Sequence, residues 1–494
     1  VLLNTTFLKL YKWPLLMALS CAFFYFSFAY HIVRTDYVKL IMLYTALFVL
    51  FFKLIQIFQH NLKLLTYLSF AFRAFFILAT PNLSQDFYRF IWDGRMILQG
   101  SNPYLSTPLS FISNNLFPIP QAHELYIGMG NLNASHFTNY PPINQLCFSI
   151  AALFAGKNIM GSVVALRLII IAADFGTLFF GKKLLKKLKL PTYHIFWYIL
   201  NPFIIIELTG NLHFEGLMIF FLFWSLYLLH SGRWQWAALV LALSISTKLI
   251  PLIFLPLFYQ WFMKQPDQNK KMKPSLHPRN KADYEILKQA RYNENKTWIT
   301  ILVRMLRLAW FYTIILGATV LLFVPFYTSE FIKNYSQTVT LWFQKFEFNA
   351  SLYYLAREIG YSFRGYNEIA IIGKYTAILV FIFVLGLSFF RKNKSTAQLI
   401  TAMLLALSFY YFTATTVHPW YVATLLALSV FTKYKFPLIW SFAIIVSYLA
   451  YADTNSAYKH ENLWIIALEY TIVYVVFVWE LLLKKNTLNK VLIQ

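Results

Sequence analysis

Apolar windows long enough to enter or cross a bilayer follow one another along most of this chain, at 14–33, 38–58, 62–80, 160–180, 193–209, 212–230, 234–263, 298–326, 370–390, 397–417, 421–432, 437–451 and 463–483. A spanning helix needs roughly 20 apolar residues to match a hydrocarbon core of about 30 Å. These windows are continuously apolar rather than alternating, which selects helices over the short strands of a membrane barrel. The expected fold is all-α, a polytopic transmembrane helical bundle of roughly a dozen or more spans, built as one domain over 1–494.

The polar gaps between windows set the expected topology. Between the third window and 140 the chain is polar, aromatic and rich in Asn and Pro, and a short apolar stretch, 143–154, follows it. The run KKLLKKLKL at 182–190 is densely basic, as are the gaps 264–297, 391–394, 433–435 and 484–490, and retained Lys and Arg mark a cytoplasmic side. Three initial spans then place the polar loop on the other side. For that loop and 182–190 to lie on opposite sides, 143–154 must be an interfacial or re-entrant helix, so 81–158 is expected to be one outer loop with juxtamembrane amphipathic helices. The same requirement breaks 234–263 into two short passes hinged at TKLIP, 247–251. On this topology the outer face also receives GNLHFEG (210–216), Lys248, the segment from 329 to 368 and HPWY (418–421).

Composition agrees with a chain dissolved mainly in lipid, since 59% of residues are hydrophobic and 13% charged. The net charge of +24 resides mostly in the short gaps, so it reads as topology rather than as nucleic-acid binding. Cys21 and Cys147 lie in apolar surroundings without metal-ligand spacing. The first window lacks a small-residue cleavage site and reads as a retained helix. No transporter-type repeat is visible, because the loop after the third window has no counterpart in the second half. The gap 264–297 has few apolar residues and reads as a basic cytoplasmic linker.

The densest chemistry lies in DFYRFIWDGRMILQGSNPY, 86–104. On a helix Asp86, Arg89 and Asp93 share one face, with Phe87, Phe90, Ile91 and Ile97 as apolar anchors. That pattern suits a short helix lying on a membrane, and it suits equally a solvated helix with local Asp/Arg pairs. Lys248 interrupts the apolar run ALSISTKLIPLIFLP, where an unpaired ammonium costs a few kcal/mol and marks either function or snorkelling from a helix end. His213 and Glu215 stand at a span start, where they hold an acceptor hydroxyl or a metal, or form a polar cap. His418 binds phosphate or, with Trp420, marks a membrane interface. Arg167 and Asp174 pair with each other or with a neighbouring helix. In the segment 346–361 the aromatics stack on a sugar, line a lipid groove or pack the interface.

DFYRFIWDGR followed by NPY, then YPP (140–142), NP with a downstream Glu207, GNLHFE, TKLIP and HPWY resemble, in that order, the polyprenol-phosphate-mannose-dependent mannosyltransferases of the GT-C superfamily. The resemblance implies a multi-helix fold, a catalytic carboxylate on the first large outer loop and a sugar donor carried on a polyprenyl phosphate. It places Asp86 as catalytic base and implies inversion. The superfamily usually has one span before this loop, and this chain presents two extra. A lipid phosphate departs as a stable anion, so the leaving group needs cations more than a proton. Arg89, Arg95, Lys248 and His418 are the candidate phosphate ligands, and Asp93, Tyr140, Glu207, His213, Glu215 and Trp420 the candidate substrate contacts. No metal ligand set or cofactor is indicated, although a divalent metal is compatible. The implied partners are a lipid-linked sugar, a glycan, lipid or protein acceptor, and membrane lipid. The implied location is a bacterial inner membrane with the site on the periplasmic or outer face. A transporter or flippase of lipid-linked saccharides is the alternative, and a scaffolding membrane protein leaves Lys248 unexplained.

Overall fold

The computed structural model describes residues 5–264, 296–452 and 461–483. The expected basic loop at 264–297 falls almost wholly outside these residues, and so does the basic run at 484–490. The described chain is helical, and its sole β contact is an isolated bridge between Phe348 and Thr416. An all-α polytopic bundle is therefore what the apolar windows form.

Among the described residues, seven helices are long and apolar enough to cross a membrane: Tyr11–His31, Tyr37–Phe58, Ile159–Lys187, Trp298–Phe326, Ile369–Phe389, Thr396–Thr413 and Leu463–Leu482. The pair Pro202–Gly210 and Glu215–His230, bent by 114°, makes an eighth if counted as one span. Other expected spans are shorter apolar helices, among them Trp234–Ile245, Ile250–Met263 and Phe436–Tyr451. Proline accounts for part of this shortening: Pro251 and Pro256 remove backbone donors in a stretch, Ile250–Leu257, that takes 3-10 rather than α geometry. The third window is helical only over Leu62–Ala74, about 20 Å of rise, and turns complete its path to the loop.

Contacts sort the connections into two ends of the bundle. At one end Asn82 donates to the carbonyls of Phe28 and Ile32 at 2.7 and 3.0 Å, Asn144 donates to Thr247 O at 2.9 Å, and Val417 N–H donates to Phe348 O at 2.8 Å. The loop 81–158, the 247–251 hinge and HPWY therefore share that end. At the other end Lys187 donates to Ser231 Oγ at 2.7 Å, and Gln260 donates to Ser388 O and Arg391 O, each at 2.7 Å. The described basic runs 182–190, 391–394 and 433–435 lie there.

Buried charge ties the frame together. Arg73 and Asp174, both fully buried, pair at 2.7 Å between helices Leu62–Ala74 and Ile159–Lys187. Arg167 does not pair with Asp174; it donates to the carbonyls of Thr209, Gly210 and Ile77 at 2.9, 2.9 and 3.0 Å. The first two belong to the end of a π-helical turn, Ile205–Gly210, so the guanidinium satisfies carbonyls that have no helical partner. This fixes the start of GNLHFEG, where Leu212 takes a left-handed φ of 63° and the chain bends into Glu215–His230.

The loop has its own small core. Helix Asp86–Leu98 packs on Pro142–Ala155, and Phe90 and Phe148 stack at 4.7 Å. A Cβ at Gly94 would fall 2.2 Å from Phe148 O, so only glycine permits this approach. Pro142–Ala155 thus serves as a bed for the loop helix. It buries Asn144 and Gln145 while exposing Leu146, Leu153 and Phe154.

Candidate active site

A cavity of about 340 Å³ opens at the end of the bundle that carries the loop. Its lining draws on parts of the chain far apart in sequence: Arg34, Asp86, Asn133, Tyr140, Glu215, Lys248, His418 and Trp420 on the polar side, with Leu249, Ile250, Val339, Gly373, Ala377 and Val380 forming apolar wall. Helix Ile369–Phe389 supplies the last three. The flank bearing Ile371, Tyr375, Ile378, Leu379 and Ile382 is exposed, so this helix is a thin partition between the cavity and the bundle's apolar exterior.

Asp86 is the first residue of helix Asp86–Leu98, a position where the helix dipole favours negative charge. Its Oδ1 accepts a hydrogen bond from Asn133 Nδ2 at 3.0 Å, and its own N–H donates to Ser84 Oγ at 3.3 Å. Tyr140 lies beside it, and burial first, then the Asp86 carboxylate, push the Tyr140 phenol well above its ordinary pKa. Lys248 Nζ pairs with Glu215 Oε1 at 3.0 Å and sits 5.3 Å from the Tyr140 ring centroid. The hinge lysine is thus held by a carboxylate from GNLHFEG rather than snorkelling alone.

Asp86, Tyr140, Glu215, Lys248, His418 and Trp420 all line this one cavity. Arg89, Arg95, Asp93, Glu207 and His213 do not. Arg89 pairs with Asp93 at 2.8 Å and donates to the carbonyls of Asn133 and His136 at 2.9 and 2.8 Å. Asp93 is fully buried and also accepts from Gln145 Nε2 at 3.1 Å. Arg95 turns to Pro120 O at 2.6 Å and Gln121 Oε1 at 3.2 Å. The shared helix face foreseen for Asp86, Arg89 and Asp93 exists, but it runs from the cavity into the loop's packed interior. Both arginines therefore build the loop that presents Asp86.

Glu207 is buried below the cavity, accepts from Tyr448 OH at 2.9 Å and lies 3.9 Å from His213 Nε2. His213 stacks on one face of Trp420, with centroids 3.7 Å apart and planes at 16°. His418 covers the other face at 4.6 Å and 6°, and Phe348 continues the column at 5.1 Å. Because both faces of the indole are occupied, Trp420 offers the cavity an edge and cannot stack on a sugar.

Sequence reasoning missed Arg34, Gln85, Asn133 and Tyr451, all of which line the cavity. One signal for Arg34 was present: the gap between the first two windows lies on the same side as the loop, and a basic residue there runs against the general placement of charge. Among the described residues, no group of three or more His, Cys, Asp or Glu is placed to hold a metal ion.

The fold and cavity define a polytopic membrane protein with a carboxylate, cations and an apolar wall around one amphiphilic chamber. A model of the alpha-(1->6)-mannopyranosyltransferase N-terminal domain family matches residues 22–264, just under half of the chain. That stretch contains Asp86, Tyr140, Glu215 and Lys248, and the match supports a mannosyltransferase of the GT-C type. No curated protein and no solved structure matches the chain.

Proposed function

We propose that the protein transfers mannose from a polyprenyl-phosphate donor to an acceptor hydroxyl with inversion, and that Asp86 is the general base. The observation that carries this reading is the position of Asp86 in a cavity that Lys248 and Arg34 also line and that helix Ile369–Phe389 walls with apolar residues. In the reaction the Asp86 carboxylate takes the proton of the acceptor hydroxyl as its oxygen attacks C1 of the sugar. The bond from C1 to the phosphate oxygen breaks, and polyprenyl phosphate leaves with the electron pair. A phosphate leaving group needs no proton donor, which suits a site with one carboxylate at the reacting end and cations for the anion. The apolar wall offers the polyprenyl chain a surface continuous with lipid.

The family description names an alpha-(1->6)-mannopyranosyltransferase, which supports a primary 6-hydroxyl as the acceptor group. An α-linked product formed with inversion requires a β-linked donor. Purified protein incubated with a panel of polyprenyl-phosphate sugars and a short α-mannoside should release lipid phosphate from the mannosyl donor in preference to the others. Release from none of them, under conditions where the protein remains folded, overturns the reading.

The cavity end is assigned to the outer face of a bacterial inner membrane because the described basic runs 182–190, 391–394 and 433–435 lie at the other end. In a background with Cys21 and Cys147 replaced, a cysteine at Ser106 should react with an impermeant thiol reagent applied outside intact cells. One at Lys186 should react only after permeabilisation. The reverse pattern contradicts the assignment.

A further inference from the structure

One cation in the cavity, Arg34, is not among the phosphate ligands expected from the sequence. Arg34 stands in the turn between helices Thr5–His31 and Tyr37–Phe58. Its guanidinium lies 4.3 Å from the Tyr451 ring centroid, and Nη2 donates to Gln85 Oε1 at 3.4 Å. Gln85 is itself anchored, since its Nε2 donates to Met129 O at 2.9 Å, and it immediately precedes Asp86. The planar fork is therefore held by neutral groups on one face and one edge.

Charge distinguishes Arg34 from Lys248. Lys248 is matched by Glu215 at 3.0 Å, whereas among the described residues no carboxylate pairs with Arg34. Among the described residues, the carboxylates lining the cavity are Asp86 and Glu215, and the permanent cations are Arg34 and Lys248. With Lys248 and Glu215 offsetting each other, Arg34 is, among the described lining residues, the permanent cation that no described carboxylate pairs and that is open to an incoming phosphate. Guanidinium also fits phosphate better than ammonium does, because two parallel N–H donors meet two oxygens.

We propose that Arg34 is the principal ligand of the donor's phosphate, with Lys248 secondary. The assignment rests on the lipid-phosphate donor proposed above. Tyr451 and Gln85 act as positioning residues that hold the fork ready, which limits the side-chain entropy lost on binding.

The test uses the purified full chain with farnesyl phosphate as the charged probe and farnesol as its neutral counterpart, titrated by calorimetry. Wild type should prefer farnesyl phosphate. Arg34→Gln should weaken farnesyl phosphate by roughly ten- to a hundredfold while leaving farnesol nearly unchanged, as expected for a lost charge-assisted contact. Lys248→Met should lose less. Arg34→Lys, which keeps the charge without the fork, should fall between wild type and Arg34→Gln, and it serves as the folded variant should the glutamine substitution prevent folding. Binding of farnesyl phosphate by folded Arg34→Gln or Arg34→Lys within about twofold of wild type overturns the assignment. Wild-type protein that binds both probes alike instead overturns the phosphate reading on which it stands.

Discussion

Asp86→Asn should lower turnover by about 10² to 10⁴ while leaving donor binding close to wild type, as expected when a general base is removed and the rest of the site remains. The substitution suits the test because it keeps the local geometry. The amide oxygen can still accept from Asn133 Nδ2, as Oδ1 of Asp86 does at 3.0 Å, and the loop helix still begins at residue 86. What is lost is the capacity to take a proton. A folded Asp86→Asn protein with turnover within a few-fold of wild type removes Asp86 from the mechanism.

Asp93 provides the contrasting case, because its role is structural. It is fully buried, pairs with Arg89 at 2.8 Å and receives Gln145 at 3.1 Å. Asp93→Asn leaves the Arg89 guanidinium in the loop core without its counter-charge, and breaking a buried pair from one side costs about 3 to 5 kcal/mol. The expected result is a clear fall in the midpoint of thermal unfolding and poor recovery in detergent. Protein that remains folded should keep turnover within about tenfold of wild type, since Asp93 lies two turns and about 10 Å along the helix from Asp86. Full stability combined with lost turnover would move the base from Asp86 to Asp93.

The contrast between these two carboxylates marks how far the sequence could be read. Continuous apolar windows dictate membrane helices, and charge in the gaps dictates which connections share an end, so the bundle and the meeting of the 81–158 loop, GNLHFEG, TKLIP and HPWY were legible. The direction of a side chain within the loop was not. Spacing places Asp86, Arg89 and Asp93 on one helix face, yet that face extends from the cavity to the packing against Ala122–Ala134 and Pro142–Ala155, and only its first residue reaches the cavity. GNLHFEG shows the same limit over two residues: Glu215 turns to Lys248, while His213 turns to Trp420 after the left-handed Leu212.

Arg34 was illegible for another reason. It reaches the site through tertiary packing across 51 residues to Gln85, and Tyr451 comes from much later in the chain. The column of His213, Trp420 and His418 was illegible for the same reason, because aromatic content reveals neither how rings pile up nor which faces remain open. The buried arginines were illegible in the same way: Arg73 and Arg167 satisfy carbonyls and a carboxylate inside the bundle, partners that only the packed structure reveals.

On the proposed mechanism a glycosidic bond is made in the cavity that Asp86 lines. The most direct measurement places wild-type and Asp86→Asn protein in sealed vesicles with labelled polyprenyl-phosphate mannose and a soluble α-mannoside, and counts both label joined to the acceptor and lipid phosphate released. Wild type should yield the two products in equal amounts, and Asp86→Asn should yield neither at an appreciable rate. Label that crosses the vesicle membrane still attached to its lipid, with no acceptor labelled by the wild-type protein, would identify a transporter and contradict the account.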